Sequence, residues 1–315
     1  MRLRVPSLEV LETRRLLSGK SAPVVTFQET PATGGTTDLV IRGTPGNDNI
    51  TINDSGTEAP GNIFVSAGGV DYMSTGAVSS ISVITGSGTD KVTYELVGNL
   101  QPNYQELVSV AAGAKKGGGS LEFDADIIGK IYAGANLEIV GAPDQHEKTT
   151  MDANESGEVD GVLQFAKISL AKMKPRMGSQ TINFNSTGAI GTAGELGANI
   201  FGTSASDNAT FSYSGVNNGN LGINAVGGGG NDQLTANVYL VPGSKGTVGL
   251  PEYPSILQTS GKKDRISYSI LQGTDSTSTT NIFASILDTS KKDISEHTAN
   301  VAAKTKGKDS ILGTI

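Results

Sequence analysis

One spaced pattern recurs seven times in this chain and constrains its fold more than any total does. An apolar residue is followed seven positions later by an Asp that closes a small-residue loop. A further apolar residue stands two places after the Asp. The Asps are Asp48, Asp71, Asp90, Asp207, Asp232, Asp264 and Asp309. The residues seven before them are Ile41, Phe64, Val83, Ile200, Ala225, Leu257 and Ala302, and the residues two after are Ile50, Met73, Val92, Ala209, Leu234, Ile266 and Ile311. Apolar residues often continue at a spacing of two, as in Leu234, Ala236, Val238 and Leu240. That is the period of a half-buried strand. The unit is therefore strand, tight turn, strand, in one register. It predicts that Ile50/Ile52, Val92/Tyr94, Phe211, Leu234/Ala236 and Ile266/Tyr268 are buried on one side. Thr51, Thr93, Thr235 and Ser267 then face the other.

The composition narrows the choice. Gly is 42 of 315 residues, hydrophobic residues are 36%, aromatics 5%, and Trp is absent. A wide layered core wants more bulk, whereas short strands that each lend two or three small apolar side chains do not. The expected fold is all-β: a β-solenoid, parallel β-helix or β-roll-like, of short strands with Gly/Asn/Asp turns. A β-sandwich built of hairpins satisfies the same local spacing. Asp48, Asp71 and Asp90 lie 23 and 19 residues apart, which suits one Asp per coil of roughly 20–25 residues. Four segments follow. Residues 1–20 are an N-terminal sorting-type segment, expected to lack fixed structure. Residues 21–142 form a first β-repeat block. Residues 143–179, acidic and then basic, form an excursion or junction. Residues 180–315 form a second β-repeat block.

The net charge is −7, yet residues 1–20 carry +3, which leaves −10 on the rest. An acidic body has no electrostatic footprint for phosphates, so nucleic acid is not an expected partner. Without Cys there are no disulfides, thiolate metal sites or Cys nucleophiles. No apolar run approaches the roughly 18 residues of a helical membrane span.

Near the N-terminus, Leu11-Glu12-Thr13-Arg14-Arg15-Leu16-Leu17-Ser18 resembles the LEPR-XLL motif of large planctomycete surface and exported proteins, with Thr13 where that motif has Pro. The resemblance implies an extracellular or cell-surface location and no particular activity.

The turns carry a second resemblance. Gly227-Gly228-Gly229-Gly230-Asn231-Asp232-Gln233-Leu234-Thr235 is similar to the nonapeptide G-G-x-G-x-D-x-U-x of hemolysin-type calcium-binding repeats. Gly43 to Thr51 differs at Thr44, and Gly86 to Val92 keeps the core. Gly202 to Thr210 has Ala205 where a Gly belongs, and the Asp264 and Asp309 turns carry lysines. In those families, carbonyls and Asp carboxylates of stacked loops enclose Ca²⁺, a hard ion that takes 6–8 oxygens. The resemblance implies Ca²⁺ at Asp232, Asp48, Asp90 and Asp71. The same Gly-Asn-Asp chemistry also makes a tight turn with no ion, because Asn and Asp side chains bond to nearby backbone. Asp152 to Asp160 follows an EF-hand loop at several positions, but Leu163 stands where the bidentate Glu belongs. It reads as an acidic solvated loop.

For catalysis there is little. His146 and His297 are far apart in sequence and no G-x-S-x-G is present. Asp124 and Asp126 share one strand face and would be the place for acid–base work on a polysaccharide. The expected function is a non-catalytic structural or adhesive repeat protein of the cell exterior, with weak Ca²⁺ sites in its turns. Its expected partners are cell-surface or matrix components, polysaccharide among them. A β-helix enzyme on polysaccharide and a carbohydrate-binding sandwich are the alternatives.

Overall fold

The computed structural model describes residues 24–56, 62–111, 119–142, 148–167, 178–249, 255–259, 264–273, 281–288, 296–302 and 310–313. Two sheets take successive strands in alternation. Sheet A contains β1 (Thr26–Pro31), β2 (Thr37–Arg42), β6 (Val78–Ile84), β8 (Gln105–Ala111), β10 (Asn136–Ala142), β12 (Val162–Lys167), β14 (Glu195–Phe201), β16 (Asn220–Val226), β18 (Thr247–Val248), β19 (Ser255–Thr259), β21 (Asn281–Asp288) and β23 (Ser310–Gly313). Sheet B contains β3 (Asn49–Asp54), β4 (Ile63–Ala67), β5 (Val70–Met73), β7 (Thr89–Leu96), β9 (Ser120–Ile127), β11 (Lys148–Glu155), β13 (Gln180–Ser186), β15 (Asn208–Gly215), β17 (Gln233–Leu240), β20 (Arg265–Gln272) and β22 (Glu296–Ala302).

From β2 onward the body strands pair in parallel with the strand one coil away. The same holds in sheet B from β3 through β7 to β22. The chain is a β-solenoid, and the sandwich of hairpins is not what it forms. The turns at Asp48, Asp90, Asp207 and Asp232 cross from sheet A to sheet B. The return corner is marked by single parallel bridges, Leu100–Ile131–Val159–Ile190–Asn217.

The strand phase follows the spacing. Ile50, Ile52, Val92, Tyr94, Ala209, Phe211, Leu234, Ala236, Ile266 and Tyr268 are all buried. Ile41, Val83, Ile200, Ala225 and Leu257, seven before their Asps, are buried from the opposite sheet. Thr51, Thr93, Thr235 and Ser267 are half-buried on the outer face. Stacking identical positions coil upon coil gives continuous apolar columns, such as Phe184 on Phe211 at 4.9 Å between ring centroids. Each coil thus buries a face that it could not bury alone.

Two expectations are corrected here. Asp48 and Asp90 occupy adjacent coils, because Asn49 pairs with Lys91, so Asp71 does not mark a coil of its own. It lies on β5, which folds back antiparallel on β4, opposite Ser66. Gly68 and Gly69 both have positive φ (56° and 78°), the backbone of a two-residue hairpin turn that right-twisted strands favour. Phe64 and Met73 accordingly point outward, with Met73 62% exposed. Within 143–179, read as an excursion or junction, β11 and β12 take regular places in the two ladders.

The N-terminal end is closed by antiparallel elements. Strand β1 covers β2, and the β4–β5 hairpin covers β3. Phe27 stacks on Tyr72 at 4.9 Å, and the Glu29 carboxylate accepts from the Thr75 N–H and hydroxyl. Residues 1–20 and Asp309 lie outside the described residues. No helix among the described residues is long and apolar enough to cross a membrane.

Candidate functional site

Register places the turn aspartates in a column. Asp48 neighbours Asp90, and Asp207, Asp232 and Asp264 follow one another in adjacent coils. Between the two groups the same position holds Leu121, Thr149 and Gln180. Every Asp of the column is buried, although it sits in a turn.

The carboxylates are wired along the stack. The Asp48 N–H donates to Asp90 Oδ1 (2.9 Å), the Gln180 N–H to Asp207 Oδ1 (3.0 Å), the Asp207 N–H to Asp232 Oδ1 (2.9 Å) and the Asp232 N–H to Asp264 Oδ1 (2.9 Å). Asp90, Asp207, Asp232 and Asp264 therefore each satisfy a donor of the preceding coil that the sheet ladder does not reach. A buried N–H left open would cost about 1–3 kcal/mol, so the column sets coil-to-coil register at the crossing between sheets.

Within its own loop each Asp does one of two things. Asp48 accepts from the Thr44 N–H (2.7 Å) and the Thr44 hydroxyl (2.8 Å), and Asp207 likewise accepts from the Thr203 N–H and hydroxyl. The equivalent residues before Asp90 and Asp232 are Gly86 and Gly228. There, Asp90 Oδ2 and Asp232 Oδ2 are buried with no hydrogen-bond partner. Glycine is required because these backbones press on the Thr turn of the coil before. A Cβ on Gly86 would lie 1.3 Å from the Thr44 carbonyl oxygen, and one on Gly228 would lie 1.5 Å from that of Thr203. Burial pushes the Asp232 carboxyl up to about 7, with the charges of Asp207 and Asp264 adding and its Asp207 N–H bond opposing. Burial raises Asp90 also.

Of the four residues named for Ca²⁺, the structure brings Asp48 and Asp90 together and seats Asp232 between Asp207 and Asp264. Asp71 stays apart on its hairpin. Asp48 already accepts one hydrogen bond at each oxygen, from the Thr44 N–H and hydroxyl. Asp90 and Asp232 each retain one oxygen that a cation could use. Among the described residues no group of three or more His, Asp or Glu is arranged as a metal cluster.

Asp124 and Asp126 do share the outer face of β9, but with separate partners. Asp124 pairs with Lys91 (2.6 Å) and Asp126 accepts from Asn154 (2.9 Å). The EF-hand-like stretch does not close into a loop. Asp152 and Asn154 face outward on β11, Glu155 faces inward, and Asp160 pairs with Lys130 at 2.8 Å.

Three inward acids escaped the sequence reading: Asp54, Glu106 and Glu155, all buried. Their signal was in the period, since Asp54 continues Ile50/Ile52 and Glu155 continues Met151/Ala153. Burial pushes Glu155 up to about 7, opposed by bonds from the Ser186 hydroxyl (2.5 Å) and the Gly188 N–H.

No family model, curated protein or solved structure matches this chain.

Proposed function

We propose that the chain is a non-catalytic structural module of the cell exterior, a β-solenoid whose outer faces adhere to polysaccharide or matrix. The observation that carries this reading is the stacking of outward amides and carboxylates in register. On sheet A, Glu195 accepts from Gln164 (2.9 Å), Gln164 from Asn199 (2.9 Å) and Asn199 from Asn224 (3.1 Å). On sheet B, Asp126 accepts from Asn154 and Asp152 from Asn183. Such rows repeat at the strand spacing of about 4.8 Å and offer hydroxyl-rich polymers a periodic set of donors and acceptors. The N-terminal motif supports an exported location. The test is co-sedimentation of the full chain with insoluble polysaccharides, wild type against Asn199→Ala/Asn224→Ala. The reading expects binding by wild type, at least tenfold weaker binding by the variant, and no release of sugar. Equal retention of both proteins, or steady release of reducing ends, would remove it.

A second reading is favoured by the unpartnered Oδ2 of Asp232: a weak Ca²⁺ site in the glycine-type turns. Asp232 would hold one ion and Asp90, several coils away, another, with neighbouring loop carbonyls completing each shell. One or two carboxylates imply affinity of about 10⁻⁴–10⁻³ M. Millimolar Ca²⁺ then raises the melting temperature of wild type and not of Asp232→Asn, with Mg²⁺ doing much less. An equal response in both proteins leaves Asp232 as a turn residue.

A further inference from the structure

We propose that Asp54 and Glu106 form a buried carboxyl pair that shares one proton through Tyr94, fastening the hairpin-capped end of the solenoid more tightly as the surroundings acidify. The two acids come from opposite sheets, Asp54 at the end of β3 and Glu106 on β8. Both are buried, at 0% and 3% exposure. Glu106 stands where the following coils place Leu137, Leu163, Leu196 and Leu221. Its presence in an otherwise apolar column needs a partner.

Proton counting supplies one. Tyr94 Oη lies 2.8 Å from Asp54 Oδ2 and 3.3 Å from Glu106 Oε1. A phenol has a single proton. If Tyr94 gives it to Asp54, the contact with Glu106 is attractive only when Glu106 carries the other proton. Asp54 also accepts from the Gly56 N–H at 2.7 Å, so both its oxygens are acceptors. Asp54 is the ionised member and Glu106 the acid.

Glu106 and Asp54 are also hydrogen-bonded directly, and beyond that bond, Tyr94 and the Gly56 N–H the surroundings are apolar or neutral. Along sheet B, Asp54 is flanked by Ile63 and Leu96, and along sheet A, Glu106 is followed by Leu137. The remaining titratable group is Tyr104, whose hydroxyl donates to the Val78 carbonyl. Asn62 is buried and neutral, beside the Tyr104 hydroxyl. No ammonium or guanidinium among the described residues contacts either carboxyl. Two like charges in such a place cannot both ionise near neutrality. Burial and the Asp54 charge together hold Glu106 well above the ordinary carboxylate range.

The sign follows. The folded state keeps a proton that the unfolded chain releases near its ordinary carboxylate pKa. The stabilisation is complete below that value and is lost as pH rises toward the folded pKa. Asn62 precedes β4 and Asp54 ends β3, so the affected element is the inserted hairpin and its seat.

The experiment is infrared spectroscopy of the full chain from about pH 5 to about pH 9, a range chosen to pass the titration of ordinary carboxyls. The carbonyl stretch of a protonated carboxyl is followed, together with thermal melting. Wild type is expected to keep one protonated-carboxyl band at the alkaline end. Glu106→Gln, which retains a donor in the same shape, should lose the band and melt with a smaller alkaline decline. Glu155→Gln and Asp232→Asn should keep it. A wild-type spectrum without the band overturns the proposal, whether or not the variant folds. So does an alkaline wild type restored by Ca²⁺ or Mg²⁺ while Glu106→Gln is indifferent, since the pair would then be an ion site.

Discussion

The threonine turns at Asp48 and Asp207 and the glycine turns at Asp90 and Asp232 use one residue in one column to opposite ends. In the threonine turns both carboxylate oxygens accept from the loop itself, through Thr44 or Thr203, and Asp207 accepts also from the Gln180 N–H of the coil before. In the glycine turns the residue four before the Asp gives no hydroxyl, and one buried carboxylate oxygen stays open. The two kinds alternate because they interlock: the threonine carbonyl occupies the space that a glycine leaves vacant. A stack of threonine turns alone would collide, and a stack of glycine turns alone would leave every carboxylate half-bonded. The Asp is thus a structural constant, and its neighbour four residues earlier decides whether it is satisfied.

The sharpest way to break this contrast is Gly228→Ala. The new Cβ meets the Thr203 carbonyl, which is backbone and cannot rotate away, so a loss above about 4 kcal/mol is expected by urea unfolding. Less severe is Thr203→Ala, which removes the hydroxyl bonded to Asp207 and should cost about 1.5–3 kcal/mol. A matched loss from both would erase the distinction between the turns. Next, Asp207→Asn should destabilise by about 2 kcal/mol, because an amide cannot accept at both ends. Asp232→Asn should be close to neutral at slightly alkaline pH, since it removes a charge wedged between Asp207 and Asp264. Smallest is the pH effect at Asp232. Its folded pKa of about 7 lies above the ordinary value of 3.8, so its contribution is complete below that ordinary value and fades as pH rises through about 7. Melting temperatures of wild type should decline across that window, and those of Asp232→Asn should decline less.

The sequence disclosed the strand phase, the turn positions and the all-β solenoid class, because period-2 burial and Asp turns are local properties. It misplaced Asp71 because Gly68-Gly69 supplies the same small-residue signature to a hairpin as to a crossing between sheets. What separates them is two positive φ angles and a partner strand, and the partner is a long-range fact. The interlocking of threonine and glycine turns was hidden for the same reason, since the residues in contact are 25 or 42 positions apart. Asp54, Glu106 and Glu155 were legible in principle as acids on the apolar phase.

The antiparallel closure at the N-terminal end gives the stack a mechanical direction. There, β1 and the β4–β5 hairpin are held across the end by the Phe27–Tyr72 stack and the Glu29–Thr75 bonds. Farther along, each coil is held chiefly by its neighbours, so rupture is a nearest-neighbour event. Pulled along its axis, the described parallel coils should peel in discrete lengths of one coil, while the end closed by antiparallel strands yields last. A solenoid tethered by that end would absorb load as a graded extension and re-form from an intact seed when the load is released.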